Sequence, residues 1–306
     1  MNRRLAIGTR ASRLARVQTD YIAGCIRALV PDIDIVIEVI STRGDQILDL
    51  PLAEIGGKGL FTQELENALR DGGIDLAVHS LKDLPTEDPE GLTVAAVPKR
   101  ATPNDALVSP AKTLLRDLPK GTRIGTSSLR RKAQLLAFNP GFTVVNVRGN
   151  VETRIKRAGD GTCDAVILAC AGIERLGLED AVVEVISPAI MLPACGQGAL
   201  AVQARADDLP LRELLAKLHH AETAAAVAAE RAMLAALGGG CQVPIGALAE
   251  IDAGALTLRG CVCSLDGTRF VRVELDGLAE DAEALGREAA GRLLAEGAAA
   301  LIAGTR

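Results

Sequence analysis

The chain has no tryptophan, one tyrosine and four phenylalanines in 306 residues. With so few stacking platforms, recognition of single-stranded nucleic acid through base–aromatic contacts is not expected, and the core must be built from Ala, Leu, Val and Ile. Long apolar runs are also missing: the stretch Ala165 to Ile173 stops far short of the roughly 18 residues that a membrane-spanning helix needs. The opening, MNRRLAIGTRASRLARVQ, is basic but holds no continuous apolar stretch of the signal-peptide kind, which predicts a cytoplasmic protein with no membrane partner. The seven cysteines, at 25, 163, 170, 195, 241, 261 and 263, show no CxxC spacing and are odd in number, so they read as reduced thiols. Cys261 and Cys263 alternate in LRGCVCSL and share one strand face, where packing is expected. No His or further Cys stands at zinc spacing, so no metal is expected.

What is present is the composition of a soluble globular protein, 48% hydrophobic and 24% charged, with length for two or three domains. The first hundred residues alternate strand-like and helix-like stretches. RLAIGTR reads as a strand, Ser12 to Leu29 as a helix with Ser12 as N-cap, Asp34 to Ile40 as a strand, Thr62 to Arg70 as a helix and Asp75 to Val78 as a short strand. After the proline-bearing link VPKRATPND the same grammar resumes, with strands at Thr122 to Gly125, Thr143 to Val147 and Asp164 to Leu168 and helices starting near Ser127 and Asn150. Two α/β lobes with largely parallel sheets follow from this pattern. Residues 196 to 217 read as helical. The last stretch holds three alternating segments, Ile245 to Ile251, Ala255 to Ser264 and Arg269 to Leu275, then a helix from about Glu280. It predicts a small α+β module, a three-stranded antiparallel sheet under one helix.

Positive charge is concentrated in a chain whose formal net charge is −5. Between Gly121 and Arg157 stand eight cations against the single anion Glu152, several of them at strand-to-helix junctions in GTSSLRR and VRGNVETR. Helix N-termini already carry unpaired N–H donors, so arginines added there make sites for carboxylates or phosphates. Overall acidity and the lack of aromatics favour a small polyanion over nucleic acid. In AVHSLKDLPT an apolar strand delivers His79, Ser80, Lys82 and Asp83 to its C-terminal end, where open α/β sheets place ligands. There Asp83 is suited to stabilise a developing cation and Lys82 to bind a carboxylate. IGGKGLF and GQGALA match phosphate-loop and dinucleotide patterns only loosely: Leu52 occupies the first glycine position of the former, and MLPAC precedes the latter. Cys241 follows three glycines and stands two residues before a proline, just past the helix read from Ala221 to Leu237. The negative end of that helix disfavours a thiolate, so a reaction at Cys241 requires a strongly electrophilic partner.

Taken in order, IGTRASRLARVQ, STRGD, GGKGLFTQELE, DLAVHSLKDLPT, GTSSLRR, VRGNVETR, DAVILACAGIERLG, MLPACGQGAL and LGGGCQVPIGA resemble the porphobilinogen deaminase (hydroxymethylbilane synthase) family along nearly the whole chain. The resemblance implies an α/β fold of two periplasmic-binding-protein-like (type II) lobes with mixed sheets, plus a small α+β C-terminal domain with a three-stranded antiparallel sheet. It implies a first lobe of residues 1–98 and 196–218, a second of 99–195, and a C-terminal domain of 219–306. The implied reaction is a transferase step repeated four times. Porphobilinogen is condensed head to tail on a dipyrromethane cofactor attached through Cys241, with release of ammonia, and the linear tetrapyrrole is then hydrolysed off. A monomer is implied, with no nucleic acid or membrane partner.

Residue by residue, the resemblance assigns catalysis to Asp83, with Lys82, Arg10, Arg148 and Arg154 assisting. It assigns cofactor binding to Cys241, Asp83, Lys82, Thr126, Ser128, Arg130, Arg131, Arg148 and Gly149. Substrate binding falls to Arg10, Ser12, Gln18, Ser127, Asn150, Arg154, Arg175, Gln197 and Gly198, and a covering loop holds Lys58 and Phe61. Gln63 and Glu54 stand where many relatives have lysine. The alternative reading is a non-enzymatic, two-lobed small-anion-binding or sensing protein, which shares the lobes and arginines but gives no reason for the GGGC loop.

Overall fold

A computed structural model describes residues 4–42, 44, 62–239 and 243–304. The first sheet holds β1 (Arg4–Thr9), β2 (Asp34–Val39), β3 (Leu76–Ser80), β4 (Leu92–Ala96) and β10 (Leu200–Arg205), in the order β2-β1-β3-β10-β4. β1 pairs in parallel with β2 and β3, whereas β10 runs antiparallel to both β3 and β4. The second sheet repeats this plan with β5 (Asp105–Val108), β6 (Arg123–Gly125), β7 (Thr143–Val145), β8 (Ala165–Ala169) and β9 (Val182–Val185), in the order β7-β6-β8-β5-β9. Here β5 is the antiparallel strand, paired with β8 and β9. Both sheets are therefore mixed rather than largely parallel. The reversed strand in each is the one that arrives from the other lobe, so the chain crosses between lobes twice.

Local signals account for the helices around these sheets. α1 (Arg13–Leu29) starts where the Ser12 hydroxyl accepts from Ala15 N at 3.2 Å and stops just before Pro31. Its buried residues Ala15, Thr19, Ile22, Ala23 and Ile26 recur at helical spacing and lie on β1 and β3. α2 (Gln63–Arg70) buries Leu65 and Leu69 against the opposite face. α3 (Leu129–Phe138) and α4 (Val151–Arg157) are capped by Ser128 and Asn150. α5 (Cys170–Leu176) follows β8 directly.

The helix expected over 196–217 is corrected. Residues 200–205 form β10, and only α6 (Leu209–Ala216) is helical. The sequence LAVQAR is rich in helix formers, but Leu200, Val202 and Ala204 pack into one core while Ala201 packs into another. A central strand buried on both faces loses the alternation that marks a strand, and pairing overrides propensity.

The third unit is built on β11 (Ile245–Asp252), β12 (Ala255–Cys263) and β13 (Phe270–Leu278), antiparallel throughout. Its core holds Ala229 and Met233 from α7 (Ala221–Ala236), Ala289 and Leu293 from α8 (Ala282–Ala295), and Leu301 from α9 (Ala298–Ala303). The single covering helix expected is thus three. Gly286 of α8 makes the close packing possible, since a Cβ there would meet the Ala229 carbonyl and come within 2.9 Å of Ala232 Cβ. Cys261 and Cys263 are fully buried on β12, as packing residues are. Among the described residues no helix is long and apolar enough to cross a membrane, and no group of three or more His, Cys, Asp or Glu is placed to hold a metal ion.

Candidate active site

The C-terminal ends of β1 and β3 open into a cavity of about 70 Å³ lined by Arg10, Ser12, Gln18, His79, Ser80 and Asp83, with Thr62 at its edge. Asp83 ends a single 3₁₀ turn, Leu81–Asp83, that continues β3. Gln18, buried on α1, donates from Nε2 to Ser80 Oγ at 2.9 Å and so ties the helix to the strand that carries the turn. His79 is buried. Burial, assisted by the charge of Arg10, lowers its pKa to about 4, so the imidazole is neutral at physiological pH. Gln203 of β10 stands close enough to oppose that shift, but His79 Nε2 has no aligned hydrogen-bond partner among the described residues.

Lys82, half-buried in the same turn, donates from Nζ to Gln197 Oε1 at 3.3 Å. Burial lowers its pKa to about 8, with Asp83 opposing that shift. Gln197 belongs to the second lobe crossing, and its Nε2 donates to Asp105 Oδ1 at 2.9 Å and to Pro103 O at 2.7 Å. A side-chain path therefore runs from Lys82 in the first lobe to Asp105 in the second. The close approach of the two crossings depends on Gly198: it has φ +88, and a Cβ on it would lie 2.5 Å from Ala101 O. Arg175 Nη2 donates to Gly198 O at 2.7 Å, adding a contact between α5 and the crossing.

Arg130 and Arg131 are brought together, but upon Asp105. Arg130 Nη1 meets Oδ2 at 2.7 Å, and Arg131 meets Oδ1 through Nη2 at 2.7 Å and Nε at 3.1 Å. Both arginine side chains are at most 6% exposed and Asp105 is fully buried. Burial alone would push the Asp105 carboxyl up, yet the two guanidinium groups hold it well below the usual carboxylate range. Asp105 is a residue that the sequence reading missed; its signal is a lone acid at the head of the apolar strand DALV.

Arg154 donates from Nε to Gly149 O at 2.8 Å. Burial, with the neighbouring charges of Arg131 and Arg148, lowers its pKa to about 10, while Asp83 opposes. It stays cationic at neutral pH, within electrostatic reach of Asp83. Thr126, Ser127 and Ser128 occupy the junction from β6 to α3, where Ser128 N donates to Thr126 Oγ1 at 3.2 Å. Asn150 Oδ1 accepts from Thr153 N at 2.8 Å, so its side chain is engaged as the cap of α4. Lys58, Phe61 and Cys241 lie outside the described residues.

The arrangement places the Asp83 carboxylate beside a polar cavity that Arg10 also lines, with Lys82 adjacent and Arg154 within electrostatic reach. Such a site attracts a ligand with several carboxylates while keeping one anion to face a developing positive charge.

Comparison with known proteins identifies the family. Residues 5–213 match the family model described as porphobilinogen deaminase, dipyromethane cofactor binding domain, and residues 224–295 match that of the porphobilinogen deaminase C-terminal domain. The chain is 51% identical over 306 residues to the porphobilinogen deaminase of Desulforudis audaxviator (strain MP104C), covering 100% of this chain and 99% of that one. It is 50% identical over 304 residues to the porphobilinogen deaminase of Roseiflexus sp. (strain RS-1), covering 99% and 100%. Among solved structures it is similar to a probable amino-acid ABC transporter extracellular-binding protein, ytmK, from Bacillus subtilis. That likeness has 13% identity and a TM-score of 0.42, over 71% of this chain and 90% of that one. The chain belongs to the porphobilinogen deaminase family.

Proposed function

We propose that the chain is a cytoplasmic, monomeric hydroxymethylbilane synthase, a transferase that joins four porphobilinogen molecules head to tail on a dipyrromethane held by Cys241 and then releases the linear tetrapyrrole by hydrolysis. The observation that carries this reading is the position of Asp83, a carboxylate at a polar cavity between cations of both lobes. The residues present suit a dipyrromethane. Its side-chain carboxylates call for cations: Arg154 of the second lobe feels the charges of Asp83 and Arg148, and Lys82 of the first lobe adjoins Asp83. When bound, the group supplies the pyrrole carbon to which the first substrate is joined.

The chain's own residues do the rest. Arg10 and Ser12 bind the substrate at the mouth of α1, with Gln18 and Ser80 fixing the cavity wall. Asp83 stabilises the positive charge that develops as ammonia leaves. Lys82, Arg148 and Arg154 bind carboxylates, and Arg175, Gln197 and Gly198 hold the crossing against α5. Thr126, Ser127, Ser128, Gly149 and Asn150 bring backbone and hydroxyl groups to the two helix starts. Arg130 and Arg131 contribute charge from behind, anchored on Asp105. Lys58 and Phe61 belong to the covering loop.

The division into residues 1–98 with 196–218, 99–195 and 219–306 is part of the proposal, and it accords with the membership of the three sheets. A receptor for small anions would share the lobes but not the family match in the C-terminal region. Intact mass spectrometry tests the reading: the purified protein should exceed the polypeptide mass by one dipyrromethane, and Cys241→Ala should lack the excess. Active protein of unmodified mass would overturn it, as would failure to consume porphobilinogen.

A further inference from the structure

The turn that carries Asp83 is gripped from the third unit. Arg231 of α7 donates from Nη2 to Pro85 O at 2.6 Å and from Nη1 to Leu84 O at 3.5 Å, the two carbonyls that directly follow Asp83. Beside this fork, Val227 and Ala224 of the same helix pack against Leu81 and Leu84 in an apolar cluster shared with Val97, Ala199 and Ala201. On its own lobe the turn is held by Leu81 N to Ala199 O at 3.0 Å, Leu84 N to Leu81 O at 3.1 Å and the contact of Lys82 with Gln197. A 3₁₀ turn of three residues has little internal hydrogen bonding, so outside contacts set its orientation. The guanidinium spans two successive carbonyls with a rigid planar fork, which a lysine does not reproduce.

We propose that Arg231 is a positioning residue for Asp83, fixing the carboxylate-bearing turn against the helix that leads into the GGGC loop. The proposal rests on the reading of Asp83 as the reacting carboxylate. Its consequence is that Asp83 takes its position from α7 as well as from β3. The preceding residue, Glu230, strengthens the arrangement, because it accepts from Arg100 at the first lobe crossing and from Gly196 N at the second, at 2.7 and 2.6 Å. One helix therefore holds both crossings and the turn.

The test uses the full-length, cofactor-loaded protein. Arg231→Gln should keep its melting temperature within a few degrees and its cofactor by intact mass, while kcat falls at least about tenfold and KM stays within twofold, since misplacement by an ångström is enough for such a loss. Arg231→Lys should restore part of the kcat. Val227→Ala, which loosens the same interface without touching the fork, should lower the melting temperature and keep kcat within twofold. An unchanged kcat in Arg231→Gln would overturn the proposal, and so would a Val227→Ala protein with the same kcat loss. If Arg231→Gln does not fold, wild-type kcat in Arg231→Lys would overturn it instead. Unchanged Arg231→Gln alongside an inactive Asp83→Asn would remove this inference alone, whereas an active Asp83→Asn would remove the reading beneath it.

Discussion

Arg100 and Glu230 meet in a two-point pair, Nη1 to Oε1 at 2.7 Å and Nη2 to Oε2 at 3.1 Å, with Arg100 10% exposed and Glu230 fully buried. Glu230 also accepts from Gly196 N at 2.6 Å and Ala249 N at 2.9 Å, so four donors from two lobe crossings and β11 share one carboxylate. Removing its charge leaves Arg100 buried with no other counter-ion among the described residues. Glu230→Gln should lose about 3 kcal/mol of stability, read as a lower denaturant midpoint, and a stability equal to wild type would show that the pair holds nothing together.

Asp83 is the one carboxylate among the described residues that line the cavity. Asp83→Asn keeps the size but removes the charge and turns one accepting oxygen into an amide donor, and should lower turnover by at least about 100-fold while leaving the far-UV spectrum and the cofactor mass unchanged. Steady-state assay of porphobilinogen consumption measures this directly.

Lys82 should shape the alkaline limb of substrate binding. With its pKa lowered to about 8, it is a cation below that pH and neutral above, so its attraction for carboxylates fades as the pH rises through 8. KM for porphobilinogen should rise between pH 7 and 9. Arg at this position does not titrate in that range, so Lys82→Arg should flatten the rise. An identical limb in the two proteins would assign it to another group.

His79 makes the protein sensitive to acid. Its folded pKa of about 4 lies below the ordinary value of 6.5, so between these two pH values the unfolded chain binds more protons than the folded one. The stability it protects is present above pH 6.5 and lost as the pH falls toward 4. His79→Gln, which does not titrate, should lose on the order of 3 kcal/mol less than wild type across that window. Urea melts at pH 7 and pH 4.5 make the comparison.

The local placement of several candidate residues was legible because its signals are short-range. Ser12, Ser128 and Asn150 cap helices as their residue types predict, and the apolar run before His79 places Asp83 at a strand's C-terminal end. Arg130 and Arg131 were expected to face ligand carboxylates, and nothing within GTSSLRR reveals that Asp105, some 25 residues earlier, takes both guanidinium groups. The helix from Ala221 was legible too, but its packing on the last sheet was not, because α7 precedes that sheet in sequence by a loop and returns to it only in space.

The sequence by itself determined the family, the order of its motifs, the alternation of strands and helices, and the presence of residue types suited to a polycarboxylate ligand. These depend on local propensity, capping and side-chain chemistry, which neighbouring residues settle. Tertiary structure alone decided that residues 200–205 are a strand, that Gln197 joins Lys82 to Asp105, and that Arg231 grips the turn of Asp83. Each of these depends on where a chain that crosses twice between lobes comes back, and no local pattern carries that distance.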